Sequence, residues 1–162
     1  LFALAACLTL SCLVYFQFII DRSDEYSGPL AERAFNYSYD GPRLSYFNQK
    51  SSKLVDWLEE QDFDIPTNLP PELLKQEGIG CRPLNWSPNK VAIMCFNAET
   101  VYHLFIAQAD DFGSFEANQD IAFQNQKKGW TVSKWKSKDH IFILAGKSNP
   151  EQMSRYLASY TP

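Results

Sequence analysis

The sequence predicts an α+β fold, an antiparallel sheet of about five strands with helices packed on one face, preceded by one N-terminal transmembrane helix. Three observations predict it. Residues Gly78 to Gln108 hold three apolar runs separated by the turn-like breaks Ser87-Pro88-Asn89-Lys90 and Asn97-Ala98-Glu99-Thr100. Runs rich in Val, Ile, Phe and Tyr between such breaks read as hairpin-linked antiparallel strands. Shorter segments on either side carry an apolar stripe at helical spacing, and the chain opens on an unbroken apolar stretch.

That opening stretch, Leu1 to Ile20, holds no charged residue, and as a helix it spans about 30 Å, the thickness of a bilayer core. Phe18-Ile19-Ile20 runs directly into Asp21, without the small residues of a leader cleavage site. Leu4-Ala5-Ala6-Cys7 matches a lipobox, yet the apolar run continues well past Cys7, so a retained membrane helix is the expectation for residues 1–20. The chain begins without Met and reads as part of a longer protein. Its visible flank, Asp21-Arg22-Ser23-Asp24-Glu25, has a single basic residue among its acids. Cytoplasmic flanks are usually rich in Lys and Arg, so the C-terminal part is expected on the extracytoplasmic, periplasmic side.

Residues 21–50 mix Ser, Gly, Pro, Asn and Tyr without a regular period and read as a juxtamembrane tether. Tyr26, Phe35, Tyr37, Tyr39, Tyr46 and Phe47 make that tether too aromatic for free disorder, which predicts partial packing on the domain. The domain itself is expected over residues 51–162. Ser52 to Gln61 has the stripe Leu54, Val55, Trp57 and Leu58 and reads as a helix, with Ser51 or Ser52 as its cap. Pro71 suits the first position of a short helical turn ended near Gly78.

Val91 to Phe96 and Val101 to Ile106 are apolar at nearly every position, so both faces of these strands should be covered. Trp130 to Lys136 and His140 to Ala145 read as a further hairpin across Ser137-Lys138-Asp139. Asn149 and Pro150 mark the start of a last helix whose stripe is Met153, Tyr156, Leu157 and Tyr160.

A length of 162 residues with 45% apolar and 15% aromatic content suits one well-filled core. With 15 basic against 19 acidic residues the net charge is −4, and no dense Lys/Arg cluster is present, which argues against a nucleic-acid surface. Cys81, Cys95, His103 and His140 offer metal-type side chains, but no CxxC or HxxxH spacing preorganises a pair, so no metal site is expected. Asp110, Asp111 and Glu116 lack the ladder of a calcium loop. No GxSxG, HExxH or Walker lysine is present, and Gly78-Ile79-Gly80 is followed by Cys81-Arg82-Pro83 rather than by a long helix. Neither catalytic residues nor a cofactor are expected.

Cys81 and Cys95 fall on neighbouring strands and could form a disulfide outside the cytoplasm. Register decides it. A three-residue loop Ser87-Pro88-Asn89 sets the two cysteines opposite each other, and a change of one residue puts them on opposite faces, as buried thiols.

Several segments together resemble a family. They are Lys53-Leu54-Val55-Asp56-Trp57-Leu58, Leu69-Pro70-Pro71-Glu72-Leu73, Gly80-Cys81-Arg82-Pro83-Leu84-Asn85-Trp86, Val91-Ala92-Ile93-Met94-Cys95-Phe96, Val101-Tyr102-His103-Leu104-Phe105-Ile106, and Trp135 ahead of a strand ending in Ala145-Gly146. The order resembles the C-terminal part of bacterial single-pass membrane proteins, some described as anti-sigma-factor-like. The resemblance implies an extracytoplasmic sensing or regulatory domain in signal transduction, with a protein partner and no active site. The surface expected to meet that partner is aromatic: Phe112, Phe115, Trp130 and Trp135. The rival expectation is a membrane-tethered thiol/redox module or enzyme using Cys81 and Cys95.

Overall fold

The three apolar runs form the middle of one antiparallel sheet. The computed structural model describes residues 29–86, 89–109, 122–125 and 127–160. In chain order the elements are α1 (Leu30–Tyr39), β1 (Tyr46–Phe47), α2 (Ser51–Glu60), α3 (Pro71–Leu74), β2 (Glu77–Trp86), β3 (Asn89–Asn97) and β4 (Val101–Gln108). They continue with β5 (Ala122–Asn125), a short turn at Lys127–Gly129, β6 (Thr131–Ser137), β7 (His140–Gly146) and α4 (Pro150–Ser154). The sheet has seven strands in the order β1-β2-β3-β4-β7-β6-β5, every neighbouring pair antiparallel. It consists of two three-stranded meanders, β2–β3–β4 and β5–β6–β7, joined along the β4–β7 pair, with the two-residue β1 added at one edge. The α+β class is as the sequence indicates. The additional strands β1 and β5 are short segments with little apolar alternation to announce them.

Strand pleating sends alternate residues to opposite faces. In β3, Ala92, Met94 and Phe96 join one hydrophobic cluster, and Val91, Ile93 and Cys95 join the other. In β4 and β7 the partition is Tyr102, Leu104, Ile106, Phe142 and Leu144 against Phe105, Ala107, Ile141, Ile143 and Ala145. All of these are buried, so both faces are covered, which is why the central runs lack polar alternation.

The first face is covered by α2, α3 and the C-terminal segment, through Leu54, Leu58, Leu73, Met153, Leu157 and Tyr160. The second is covered by α1, through Leu30, Ala34, Phe35 and Tyr37. Helices on one face only is therefore corrected. The cover of the second face comes from the segment read as a partly packed tether, residues 21–50, which contains α1 and β1. Gly28-Pro29 and the polar residues between the aromatics mask a helix whose stripe is Leu30, Ala34, Phe35 and Tyr37.

Local details follow the chemistry of the chain. Asn149 and Gln152 form a reciprocal capping box on α4 with Pro150 in its first turn. At α2 neither serine caps. Lys50 takes that position without a side-chain bond, and Ser51 Oγ instead donates to the carbonyl of Gln76 at 2.8 Å, fastening the helix to the entry of β2. Gly80 lets β1 approach β2: a Cβ there would lie 2.4 Å from the Tyr46 carbonyl oxygen. The Cys81 carbonyl accepts from Ser45 N, so the polar groups of Cys81 face the outer edge. Pro83, two residues on, faces the same edge without an N–H and blunts it against strand addition.

The membrane helix expected at residues 1–20 lies outside the described residues. Among the described residues no helix is long and apolar enough to cross a membrane.

Candidate functional site

The second face holds the features that could act on another molecule. Helix α1 sits there because its apolar side chains have a matching floor. Tyr37 packs edge-on against Trp86 and Phe105, with centroids 6.0 and 6.2 Å away, and its hydroxyl donates to the Arg43 carbonyl at 3.2 Å. The Arg33 guanidinium lies 4.8 Å from the Trp86 ring centroid, a cation–π contact. Phe35 meets Trp130 edge-on at 6.1 Å, and Tyr39 meets the same ring at 6.2 Å.

Between α1 and the β5–β6 edge lies an open cleft of about 590 Å³. Ala31, Phe35 and Tyr39 of α1 form one wall, and Gln124, Lys128 and Lys134 form the other. Its size falls in the range of small-ligand sites. Lys128 has a left-handed backbone, φ 62°, and its ammonium is 4.4 Å from the Tyr39 ring centroid and bonded to the Tyr39 hydroxyl. A non-glycine residue in that region is uncommon, and here it aims a lysine across the cleft mouth.

Behind the cleft, Trp130 stacks on His103 with centroids 5.9 Å apart and planes 14° from parallel. His103 Nδ1 is 3.1 Å from Cys95 Sγ. The two residues face each other directly across β3 and β4. Burial pushes the Cys95 thiol well above the ordinary cysteine range and lowers His103 to about 4. The pair is thus neutral, joined by a hydrogen bond whose direction follows the imidazole tautomer. A thiolate–imidazolium dyad would need solvent or charge that the covered face withholds.

The cysteines expected to bridge do not meet. Asn89 pairs with Trp86, so Cys81 pairs with Met94 and Gly80 with Cys95. Cys81 then points to the first face, where its Sγ lies 3.6 Å from the Leu54 carbonyl oxygen, and Cys95 points to the second. Both are free and buried. Side chains on opposite faces of a sheet cannot be joined without backbone movement. A module working through a Cys81–Cys95 pair therefore has no geometry here.

His140 lies on the first face, where Nε2 is 3.2 Å from the Asp64 carbonyl oxygen and 3.1 Å from Gln108 Nε2, pinning the Asp62–Ile65 loop. Of the four metal-type residues only Cys95 and His103 meet, and among the described residues no cluster of three such groups occurs. Of the expected partner surface, Trp130 is half-buried and touches the cleft aromatics. Trp135 is fully buried, stacked on Phe142 at 5.3 Å, and so is corrected from surface to core. Phe112 and Phe115 lie outside the described residues.

The Cys95–His103 contact is what sequence reasoning missed. Reading Asn97 to Thr100 as a four-residue break shifts the hairpin by one. The strand in fact continues to Asn97, which pairs with Val101 across three residues and so brings position 95 to position 103. Comparison with protein-family models, with curated proteins and with solved structures finds no match.

Proposed function

We propose that this chain is the sensing or regulatory domain of a single-pass membrane protein, held outside the cytoplasm by residues 1–20 and acting through a protein partner, as an anti-sigma-type regulator would. One observation carries the reading: α1, the first described element after the apolar stretch, forms a wall of the cleft whose other wall is the sheet. A molecule seated in the cleft touches both, so its binding energy depends on how α1 is docked. Differential affinity for two positions of α1 is what a ligand needs in order to shift a conformational equilibrium. Nine residues join Ile20 to Leu30, short enough for a shift of α1 to be felt at the apolar segment.

The test uses the full chain with its native upstream sequence in its own host. A cysteine placed at exposed Gln61 should react with a membrane-impermeant maleimide in intact cells, and the protein should resist carbonate extraction. Transcript profiles should show a discrete set of genes shifted by deletion and also by Ala34→Asp, which unseats α1 from the sheet. Labelling only after lysis, or a folded Ala34→Asp protein with no transcript response, overturns the reading.

A further inference from the structure

The buried thiol–imidazole pair has no role in holding the cleft, and its surroundings suggest one of its own. Cys95 and His103 are 1% and 5% exposed. Trp130 lies on the imidazole, and Tyr37, near the C-terminal end of α1, shares the buried cluster that holds Cys95. Both covering rings are held by α1, Tyr37 as part of it and Trp130 through Phe35 and Tyr39.

We propose that Cys95, with His103 as its base, is a gated modification site that reduces small hydroperoxides when the C-terminal half of α1 lifts from the sheet. The proposal draws on how α1 is docked, and it holds whatever the membrane placement or regulatory output of the chain. Burial is the main reason both partners are inert: it holds the proton on sulfur and keeps the imidazole neutral. Water admitted over the pair removes that cause, and a base already within hydrogen-bond distance of the thiol then accepts its proton. Of the titratable groups near it, Cys81 opposes ionisation of Cys95. Arg82 of β2 and Arg43 of the loop after α1 bear on Tyr37 and favour its ionised form.

The step balances. The Cys95 S–H proton passes to His103 Nδ1, and the thiolate sulfur attacks the terminal oxygen of the hydroperoxide. The O–O bond breaks, and its electron pair leaves on the distal oxygen, which takes the proton from the imidazolium and departs as water or an alcohol. Cys95 becomes a sulfenic acid, oxidised by two electrons, and the hydroperoxide is reduced by two. Cys81 faces the other side of the sheet and cannot resolve the product as a disulfide.

Cys81 is also the internal control, as it too exposes no appreciable surface but bonds to the Leu54 carbonyl rather than to an imidazole. Full chain in nanodiscs, treated with hydrogen peroxide and then with a sulfenate-trapping dione, should show by site-resolved mass spectrometry that Cys95 is trapped before Cys81. Phe35→Ala, which loosens Trp130 and α1, should accelerate Cys95 by about tenfold or more with Cys81 unchanged, since reactivity follows thiolate character and exposure. His103→Gln should return Cys95 to the rate of Cys81 and move its rate–pH profile toward that of an ordinary thiol. Equal rates at the two cysteines of the wild-type chain, or an unaltered Cys95 rate in His103→Gln, overturns the proposal. The wild-type comparison stands even if a variant fails to fold.

Discussion

The two faces of the sheet are covered in opposite ways. On the first, α2, α3 and the C-terminal segment lay a broad apolar layer, and Trp135, Phe142 and Tyr160 form a buried aromatic cluster. On the second, among the described residues a single ten-residue helix does most of the covering, beside an open cleft and above a neutral thiol–imidazole pair. Redundant cover makes stability. Sparse cover makes a face whose opening is within reach of a ligand's binding energy, since elements with few buried contacts open first.

The largest expected effect is on the first face. Trp135→Ala should lower unfolding free energy by about 3–5 kcal/mol, the usual cost of emptying a buried aromatic position. Urea unfolding of the full chain measures it as a fall in midpoint. Phe35→Ala on the second face should cost clearly less, and hydrogen exchange should show its effect confined to Leu30–Tyr39. Equal global losses in the two variants would break the contrast.

The second face should also carry the acid sensitivity. His103 is lowered by burial to about 4 in the folded chain, whereas an exposed imidazole titrates near 6.5 in the unfolded chain. Between those values the unfolded state binds more protons, so stability is level above about pH 6.5 and declines toward about pH 4. The slope from this one group approaches about 1.4 kcal/mol per pH unit within that window. His103→Gln removes it, and the difference between the wild-type and variant curves separates His103 from the carboxylates. Parallel curves would place the acid response elsewhere.

A smaller effect sharpens the picture of the first face. Asn149→Ala removes the side-chain bond to Gln152 N at 2.8 Å and should cost about 1 kcal/mol. Thermal melts would show a modest shift, because the stripe Met153, Leu157 and Tyr160 remains seated. A loss as large as that of Trp135→Ala would mean that α4 holds the face by its cap rather than by packing.

Much of this architecture was legible in the residues. Val91, Ile93, Phe96, Leu104, Phe105, Ile141, Ile143 and Leu157 read as core and are buried, because burial on both faces removes polar alternation from a strand. Asn149-Pro150 announced a helix start because capping is local chemistry. What stayed hidden depends on spacing to a single residue or on distant contacts. The β2–β3 turn spans one residue fewer than the loop that would align Cys81 with Cys95, and that difference reverses a face. Trp135 shares its side of the strand with the polar Thr131 and Ser133, so it passes for a surface residue until those side chains are seen to be buried as well. Helix α1 was obscured by its polar residues, since its helical state is secured by the floor beneath Tyr37 rather than by intrinsic preference.

The seam between the two meanders has a consequence for how the chain reaches this state. Within β2–β3–β4, and again within β5–β6–β7, each strand meets its sequence neighbour, so pairing is local and quick. The β4–β7 pair joins Gln108 to His140 and requires closure of the whole stretch between them. Each meander can therefore form early while the seam waits, leaving the β4 and β7 edges briefly unpaired. Substitutions in the first hairpin, such as Ile93→Val, should slow folding, whereas those along the seam, such as Ile143→Val, should mainly hasten unfolding. During that interval the chain is most exposed to wrong pairing with another copy, through two apolar edges that the finished sheet conceals in its own centre.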